Sequence, residues 1–373
     1  MFDLVSPKDV PLLNLISGGT PEDPALNSLS EPCTAQRFEW LEVADPAWST
    51  TLSASIAAVD TAVMTVVAPG ILVEGHIVQF ATGEYAVVGV TTGANTVPLA
   101  IRGFAGSTAA IQSDAGVVTI VGRTHREGAV SPQDKVLYPT LPHNFCQEFA
   151  AGIIISEIEQ AIDRYGVDNA IEFETKNQMR QLLIGWNRQL YHDLRVLNAS
   201  GVPGSMGGLR TYVPAANVTN ASAGALTTKM VGDLMQVIFE SAGRSNMPDT
   251  IVCGPWVKRK ISTLFSSIVG TIGTGPLTTE RMENSRSAGV VLDVINTDFG
   301  AIDVVVDQWC PAGELYLLKK DCLGIGPLKD KVLTREPMAK TGTSDQFMIS
   351  GTYTFQMRQA RSHGRIHGIS TTT

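Results

Sequence analysis

Residues 168–200 read DNAIEFETKNQMRQLLIGWNRQLYHDLRVLNAS. Met179, Leu182, Leu183, Trp186, Leu190, Leu194 and Leu197 recur at steps of three and four, which sets them on one stripe of an α-helix. Lys176, Arg180, Arg188, His192, Asp193 and Arg195 fall on the opposite face, a solvated or partner-facing surface. Asp168 is placed to cap the start, and Gly201 with Pro203 to close the end. An unbroken helix over 168–198 would be a rod about 45 Å long. Nothing around it looks catalytic. Such a rod suits a scaffold.

The 373 residues give room for two or three cores. With 44% hydrophobic and 17% charged residues, the chain reads as well-buried and globular. The formal charge of −8 and the lack of a long basic block argue against a protein that grips nucleic-acid backbones, though it can still enclose them. Cys33, Cys146, Cys253, Cys310 and Cys322 are scattered and show no C-x-x-C spacing. Free, mostly buried thiols are expected, without a disulfide framework or zinc site. Residues 1–10 lack the charged leader and apolar core of a signal peptide, and no apolar run approaches a membrane span. The N-x-S/T triplets at Asn198, Asn217 and Asn220 are therefore read as chance.

Outward from the long helix, residues 1–50 are broken by prolines at 7, 11, 21, 24, 32 and 46. They nevertheless carry the apolar anchors Leu12, Leu13, Leu15, Ile16, Phe38, Trp40 and Leu41. An extended arm lying along its own or a neighbour's surface is expected. From residue 51 to 123, Val, Thr, Ala and Gly dominate, and β-type runs at 61–67, 76–80, 84–91, 95–101 and 116–122 are separated by turn residues. Five short strands suggest a small antiparallel barrel or sandwich. Residues 144–155 alternate as a strand with Phe145, Phe149, Ile153 and Ile155 on one side, and Ser156-Glu157-Ile158-Glu159 is a capping box opening a short helix. Residues 201–311 alternate helix and strand: a helix at 227–242, a strand at 250–253, a helix starting at Pro255, and strands at 290–295 and 302–306. Strands at 314–318 and 347–357 follow, with a polar loop at 337–345.

The chemistry-bearing motifs are weak. Gly201-x-x-Gly204-x-x-Gly207-Gly208 follows a helix and lacks the lysine of a phosphate loop, so it reads as a flexible loop. His363 and His367 could share a face as metal ligands, but two glycines and the missing H-E-x-x-H pattern make surface histidines the better reading. Substituting both should then leave folding largely intact. Lys258-Arg259-Lys260 reads as a solvated helix face, Glu157 with Glu159 and Asp321 with Cys322 lack identifiable partners, and no G-x-S-x-G elbow occurs. No catalytic, cofactor-binding or metal-binding residue is expected, and no enzyme.

Three stretches in this order resemble the major capsid proteins of tailed bacteriophages, the Hong Kong 97-type fold, in the branch with a β-barrel inserted in the extended loop. They are PMAKTGTSDQFMISGTYTFQMRQARSHGRIHGI at 337–369, LTTKMVGDLMQVIFESAGRSNMPDTIVCGPWVKRKIS at 226–262, and VEGHIVQFATGEYAVVGVTTGANTVPLAIRGFAGSTAA at 73–110. The resemblance implies an α+β chain with an N-terminal arm at 1–50 and an extended loop with the inserted barrel at 51–126. A peripheral domain would combine 127–200, including a spine helix at 168–198, with 312–373, and an axial domain would span 201–311. It implies a head subunit that self-assembles into an icosahedral shell around double-stranded DNA, without sequence-specific binding. Its partners would be its own copies in hexamers and pentamers, a portal protein at one vertex, and scaffolding and decoration proteins; no cofactor or membrane is implied. Such a protein resides in the virion capsid and assembles in the bacterial cytoplasm. The alternatives are a nanocompartment shell of the same fold and a tail or fibre protein binding glycan through the β module. The helix's apolar stripe is expected to pack on the strands at 314–318 and 347–357.

Overall fold

A computed structural model describes residues 9–18, 27–43, 47–91, 96–125, 127–128, 139–162, 169–271, 285–287, 290–340 and 342–372. The expected cap at Asp168 and the turn at 93–95 lie outside them. The fold is α+β, with a long helix, several sheets and one curled, barrel-like sheet. Two compact units divide the chain: residues 41–141, and residues 1–40 with 142–373.

The smaller unit is the β-rich stretch. Its six-stranded sheet runs in the order Ser49–Thr51, Val117–Arg123, His76–Phe80, Tyr85–Val88, Thr96–Ile101, Val63–Thr65, with every pair antiparallel. Beyond the two edge strands, Leu52 bridges Val66. The sheet therefore curls until its edges meet, which leaves little edge for mispairing. Alternation explains the closure: Val118 and Ile120 point into a core with Val78, Phe80, Val88, Val97 and Leu99. The Gly-Phe-Ala-Gly segment is a turn in which Gly103 has φ +64°, and a Cβ there would meet the Ser107 carbonyl at 2.7 Å.

The larger unit holds two main sheets. In one, the long strand Ser344–Met357 is central, flanked on one side by Gln147–Ser156 and on the other by Leu323–Pro327 and Thr334–Pro337. The other has seven strands ordered Val218–Asn220, Gly364–His367, Leu315–Leu318, Thr250–Cys253, Gly300–Val306, Val290–Thr297, Ser285–Ser287. Helix Thr228–Ala242 carries Thr227 as its N-cap, bonding Met230 N–H, and buries the predicted stripe Val231, Leu234, Met235 and Ile238. Helix Pro255–Thr271 buries Val257 and Ile261 beside it. Leu315–Leu318 and Thr250–Cys253 are buried on both faces, so they read as continuous apolar runs. Ile251, Leu315 and Leu317 face one core, while Val252, Tyr316 and Leu318 face the other. The expected division at 311/312 passes through this sheet, because Leu315–Leu318 pairs directly with Thr250–Cys253.

The long helix is shorter than its hydrophobic period. It spans Ala170–Gln189, 20 residues instead of the expected 168–198. Asn169 caps it, its Oδ1 accepting from the N–H groups of Ile171 and Glu172. It ends because the Leu190 carbonyl is taken by Leu209 N–H at 2.7 Å, and Tyr191 turns into the core. Leu194 and Leu197, expected on the stripe, are about half exposed in the irregular segment that follows. The stripe residues Leu183, Trp186 and Leu190 are buried in the core that also holds Tyr316, Leu318, Tyr353 and Phe355. The Trp186 ring lies 4.6 Å from Tyr353 and 4.7 Å from Phe149, and Tyr191 lies 5.5 Å from Tyr316.

Of the glycines after this helix, Gly201 sits in an exposed turn at φ +80°, whereas Gly207 and Gly208 lie in the interior. Met206, Gly207 and Gly208 are buried, and a Cβ on Gly208 would meet the Leu190 carbonyl oxygen at 2.2 Å. Gly208 is a close-approach position where backbone crosses backbone, and Gly207 is one where the Thr211 side chain fills the space of a Cβ. In the N-terminal region, Pro11–Ser17 forms a seven-residue helix with proline in its first turn, burying Leu12, Leu13 and Ile16 in the main core. Phe38 and Trp40 are likewise buried against this chain, whereas Leu41 is exposed. Leu12, Leu13, Ile16, Phe38 and Trp40 thus pack on the chain's own surface.

Candidate functional site

One buried polar constellation lies inside the larger unit, where the N-terminal helix, the long helix and the seven-stranded sheet converge. Asp307 is fully buried just past strand Gly300–Val306. One carboxylate oxygen accepts from Tyr191 Oη at 2.6 Å and Asn187 Nδ2 at 2.7 Å, and the other from Trp309 N–H at 2.8 Å. Asn187 Oδ1 in turn accepts from Leu13 N–H, and Trp309 Nε1 donates to the Asp9 carbonyl. Burial first, and then the Asp307 charge, push the Tyr191 phenol well above its usual range, so it stays a donor. All partners are satisfied within the chain, and no reacting group is left poised. This cluster fastens three segments together.

A second cluster centres on Glu314, whose carboxylate accepts from Arg210, Arg365 and Tyr316 at 2.6–3.1 Å. Burial pushes this carboxyl up, but the hydrogen bonds from Arg365, Tyr316 and Arg210 outweigh it and hold it below the usual range. Arg210 also meets His192 Nδ1 at 3.2 Å. Both faces of the pairing are structural: Arg210 follows the buried glycines and Arg365 sits on strand Gly364–His367.

The residues weighed from sequence do not assemble into a reaction centre. His363 is no surface histidine; it is fully buried. Its Nδ1 accepts from Lys319 N–H at 3.3 Å, so Nε2 carries the proton and donates to the Arg358 carbonyl at 3.2 Å. The sequence missed this because Gly364–His367 joins the sheet through long-range pairing, which no local pattern signals. Burial lowers the imidazole pKa to about 4. The unfolded chain then binds a proton that the folded chain refuses between pH 6.5 and 4. Stability from this group is complete above the unfolded value and drains away as pH falls. Acidification from pH 6.5 to 4.5 should cost about 2–3 kcal/mol through His363 alone. Acid denaturation followed by tryptophan fluorescence should show a shallower slope in His363→Gln than in wild type; equal slopes would contradict this.

Asn217, read as a chance glycosylation triplet, is buried and donates to the carbonyls of Arg361 and His363. Lys260 lies over the Trp256 ring at 5.1 Å, and Arg259 is exposed. Ser156 caps its helix through Glu159 N–H, as the capping box requires, and Glu157 pairs with Lys340. Cys322 bonds Gln359, and the Asp321 carbonyl accepts from Arg358. The polar face of the long helix is used: Arg180 pairs with Asp9 at 3.0 Å and Arg188 lies 5.5 Å over the Trp309 ring. All five cysteines are free and buried. Among the described residues no group of three His, Cys, Asp or Glu side chains is placed to hold a metal ion, and no helix is long and apolar enough to cross a membrane.

What the chain does offer is apolar surface. Ile154, Ile158, Ile162 and Phe173 are at least half exposed, on the outer side of strand Gln147–Ser156 and the helices after it. On the smaller unit, Val67, Ile111, Val117 and Val121 are likewise at least half exposed. Exposed apolar side chains in such groups mark interaction surfaces.

A model of the SU10 major capsid protein family matches residues 1–370. The chain belongs to this family. It is a major capsid protein, a structural subunit that self-assembles into the icosahedral shell of a tailed phage. Membership places the nanocompartment and glycan-binding alternatives behind this function. Among curated proteins none matches. Among solved structures the capsid protein is similar to a chain of the cyanophage A-1(L) capsid asymmetric unit, with 15% identity over 67% of this chain and 85% of that one, at a TM-score of 0.48. It is also similar to a chain of the satellite phage P4 procapsid (15%, 67% and 85%, TM-score 0.41) and to the holo-SrpI encapsulin of Synechococcus elongatus PCC 7942 (9%, 64% and 79%, TM-score 0.44).

Proposed function

We propose that this capsid protein forms the hexamers and pentamers of a Hong Kong 97-type head that encloses double-stranded DNA and receives a portal at one vertex. Residues 201–311 serve as the axial domain, 127–200 with 312–373 as the peripheral domain, 51–126 as the extended loop and 1–50 as the arm. Scaffolding and decoration proteins are further partners, and assembly takes place in the host cytoplasm. The match of the family model along nearly the whole chain carries this proposal. The exposed apolar side chains of Ile154, Ile158, Ile162 and Phe173 and of Val67, Ile111, Val117 and Val121 are available for contacts between copies. A net charge of −8 supports containment without tight gripping of DNA.

The loop assignment has a direct test. Trp40 N–H bonds the Pro142 carbonyl at 3.1 Å, so the chain leaves and re-enters the larger unit side by side. Replacing residues 44–138 with a short glycine-serine linker should leave that unit folded, by circular dichroism and a cooperative melt. Sedimentation of the variant should find no shells. Closed particles of ordinary size from the deleted chain would reject the loop's role in assembly.

A further inference from the structure

Cys33 and Cys146 lie 113 positions apart in sequence, yet their sulfurs are 3.3 Å from each other in a small buried cluster with Phe38 and Trp40. Both backbones are fixed. The Cys33 carbonyl accepts from Lys329 N–H at 2.9 Å, and Cys146 N–H donates to the Gln36 carbonyl at 2.8 Å. Next to them, Arg37–Glu39 pairs with His143–Phe145, residue 37 opposite 145. A disulfide needs sulfurs about 2.0 Å apart, so the pair must close by little more than an ångström. Both sulfurs also lie against the carbonyl of Ala35, at 3.4 Å from Cys33 and 3.3 Å from Cys146, and Pro32, Thr34 and Ala35 are exposed, so a small local opening of this segment admits a reagent. The hydrogen bond between the sulfurs holds Cys33 below the usual thiol range and Cys146 above it, which makes Cys33 the first to ionise. Of the other three cysteines, Cys310 Sγ meets the Glu314 carbonyl and Cys322 Sγ meets Gln359, while Cys253 is buried.

We infer that Cys33 and Cys146 are a cross-linking site, which a low-molecular-weight disulfide oxidises to an intrachain bond that closes residues 33–146 into a covalent ring. The Cys33 thiolate attacks one sulfur of the reagent, forming a mixed disulfide and expelling one small thiolate. Cys146, after giving its proton to solvent, attacks the Cys33 sulfur, breaks the mixed bond and expels the second small thiolate. Two cysteine thiols are oxidised, one small disulfide is reduced, and the two protons end on the two small thiols released. The ring contains the whole of the 41–141 unit, with both ends of its entry ladder tied. A chain made reduced in a cell and later released into oxidising surroundings would acquire this bond.

The test reads the chain's own chemistry, so it succeeds or fails independently of whether shells form. Full-length protein is incubated with oxidised glutathione at mildly alkaline pH, then denatured, alkylated and mapped without reduction. Free thiols should fall from five to three, with one linked peptide joining Cys33 and Cys146. A chain cut once between them should run as one species on a gel until dithiothreitol is added. Cys33→Ser and Cys146→Ser should each lose the linked peptide. Five remaining thiols, a stable glutathione adduct at either cysteine of the wild type, or a bond between other cysteines would overturn the inference.

Discussion

Arg102→Ala should unfold the β unit well below the melting temperature of the wild-type protein. The guanidinium is nearly buried and the Glu84 carboxylate is fully buried, and they meet through two parallel bonds of 2.6 and 2.7 Å. Arg102 also donates to the carbonyls of Ala110 and Thr61, while Glu84 accepts from Ala110 N–H, Gly103 N–H and Gln112. One ion pair therefore holds the turn at 103–106, the segment to 112 and the loop before strand Val63–Thr65. Burial raises the Glu84 carboxyl, but the Arg102 hydrogen bond and those from Ala110 and Gly103 bring it below its ordinary value. Truncating the arginine leaves a buried carboxylate without its cation, which costs about 3–5 kcal/mol. For a unit of this size that is a fall in Tm of roughly 12 °C or more, readable by calorimetry. Combining Arg102→Met with Glu84→Gln should recover much of the loss, because no uncompensated charge remains. A fall of only a degree or two in Arg102→Ala would show that the pair does not organise the unit.

Trp186→Ala should be comparably severe in the larger unit. Trp186 is 1% exposed and stacks between Phe149 and Tyr353, joining the long helix to two strands of the sheet beneath. Its removal leaves a cavity lined by aromatic rings that cannot collapse without moving the helix, for a cost of about 3–5 kcal/mol. Its indole Nε1 is buried without a hydrogen-bond partner. Trp186→Phe should therefore be much milder, since it keeps a ring in the stack and removes an unpaired donor. Chemical denaturation of the three proteins should rank wild type and Phe together, with Ala far below. Equal losses for Phe and Ala would contradict the packing.

The features legible in the sequence are those with a local period. Alternation marked Val117–Arg123, Gln147–Ser156 and Ser344–Met357, and steps of three and four marked Ala170–Gln189 and Thr228–Ala242. Cap and helix-start chemistry placed Ser156 and Pro255 correctly. The order of these elements was enough to suggest a shell protein. What escaped was set by partners distant in the chain. The helix stops at Gln189 because Leu209 captures the next carbonyl, although the apolar period continues to Leu197. His363 is buried by a strand pairing, and Glu84 finds Arg102 across a turn whose glycines signal bending but not charge. Asp307 shows no sequence signal; only the convergence of Leu13, Asn187 and Tyr191 reveals it.

This chain, with its buried polar clusters and exposed apolar side chains, builds a closed shell from copies of itself. Electron microscopy of the purified full-length protein tests it most directly. Closed icosahedral particles with hexameric and pentameric capsomers are expected. A preparation that is folded by circular dichroism yet stays monomeric, or forms only open aggregates at every concentration tried, would contradict it.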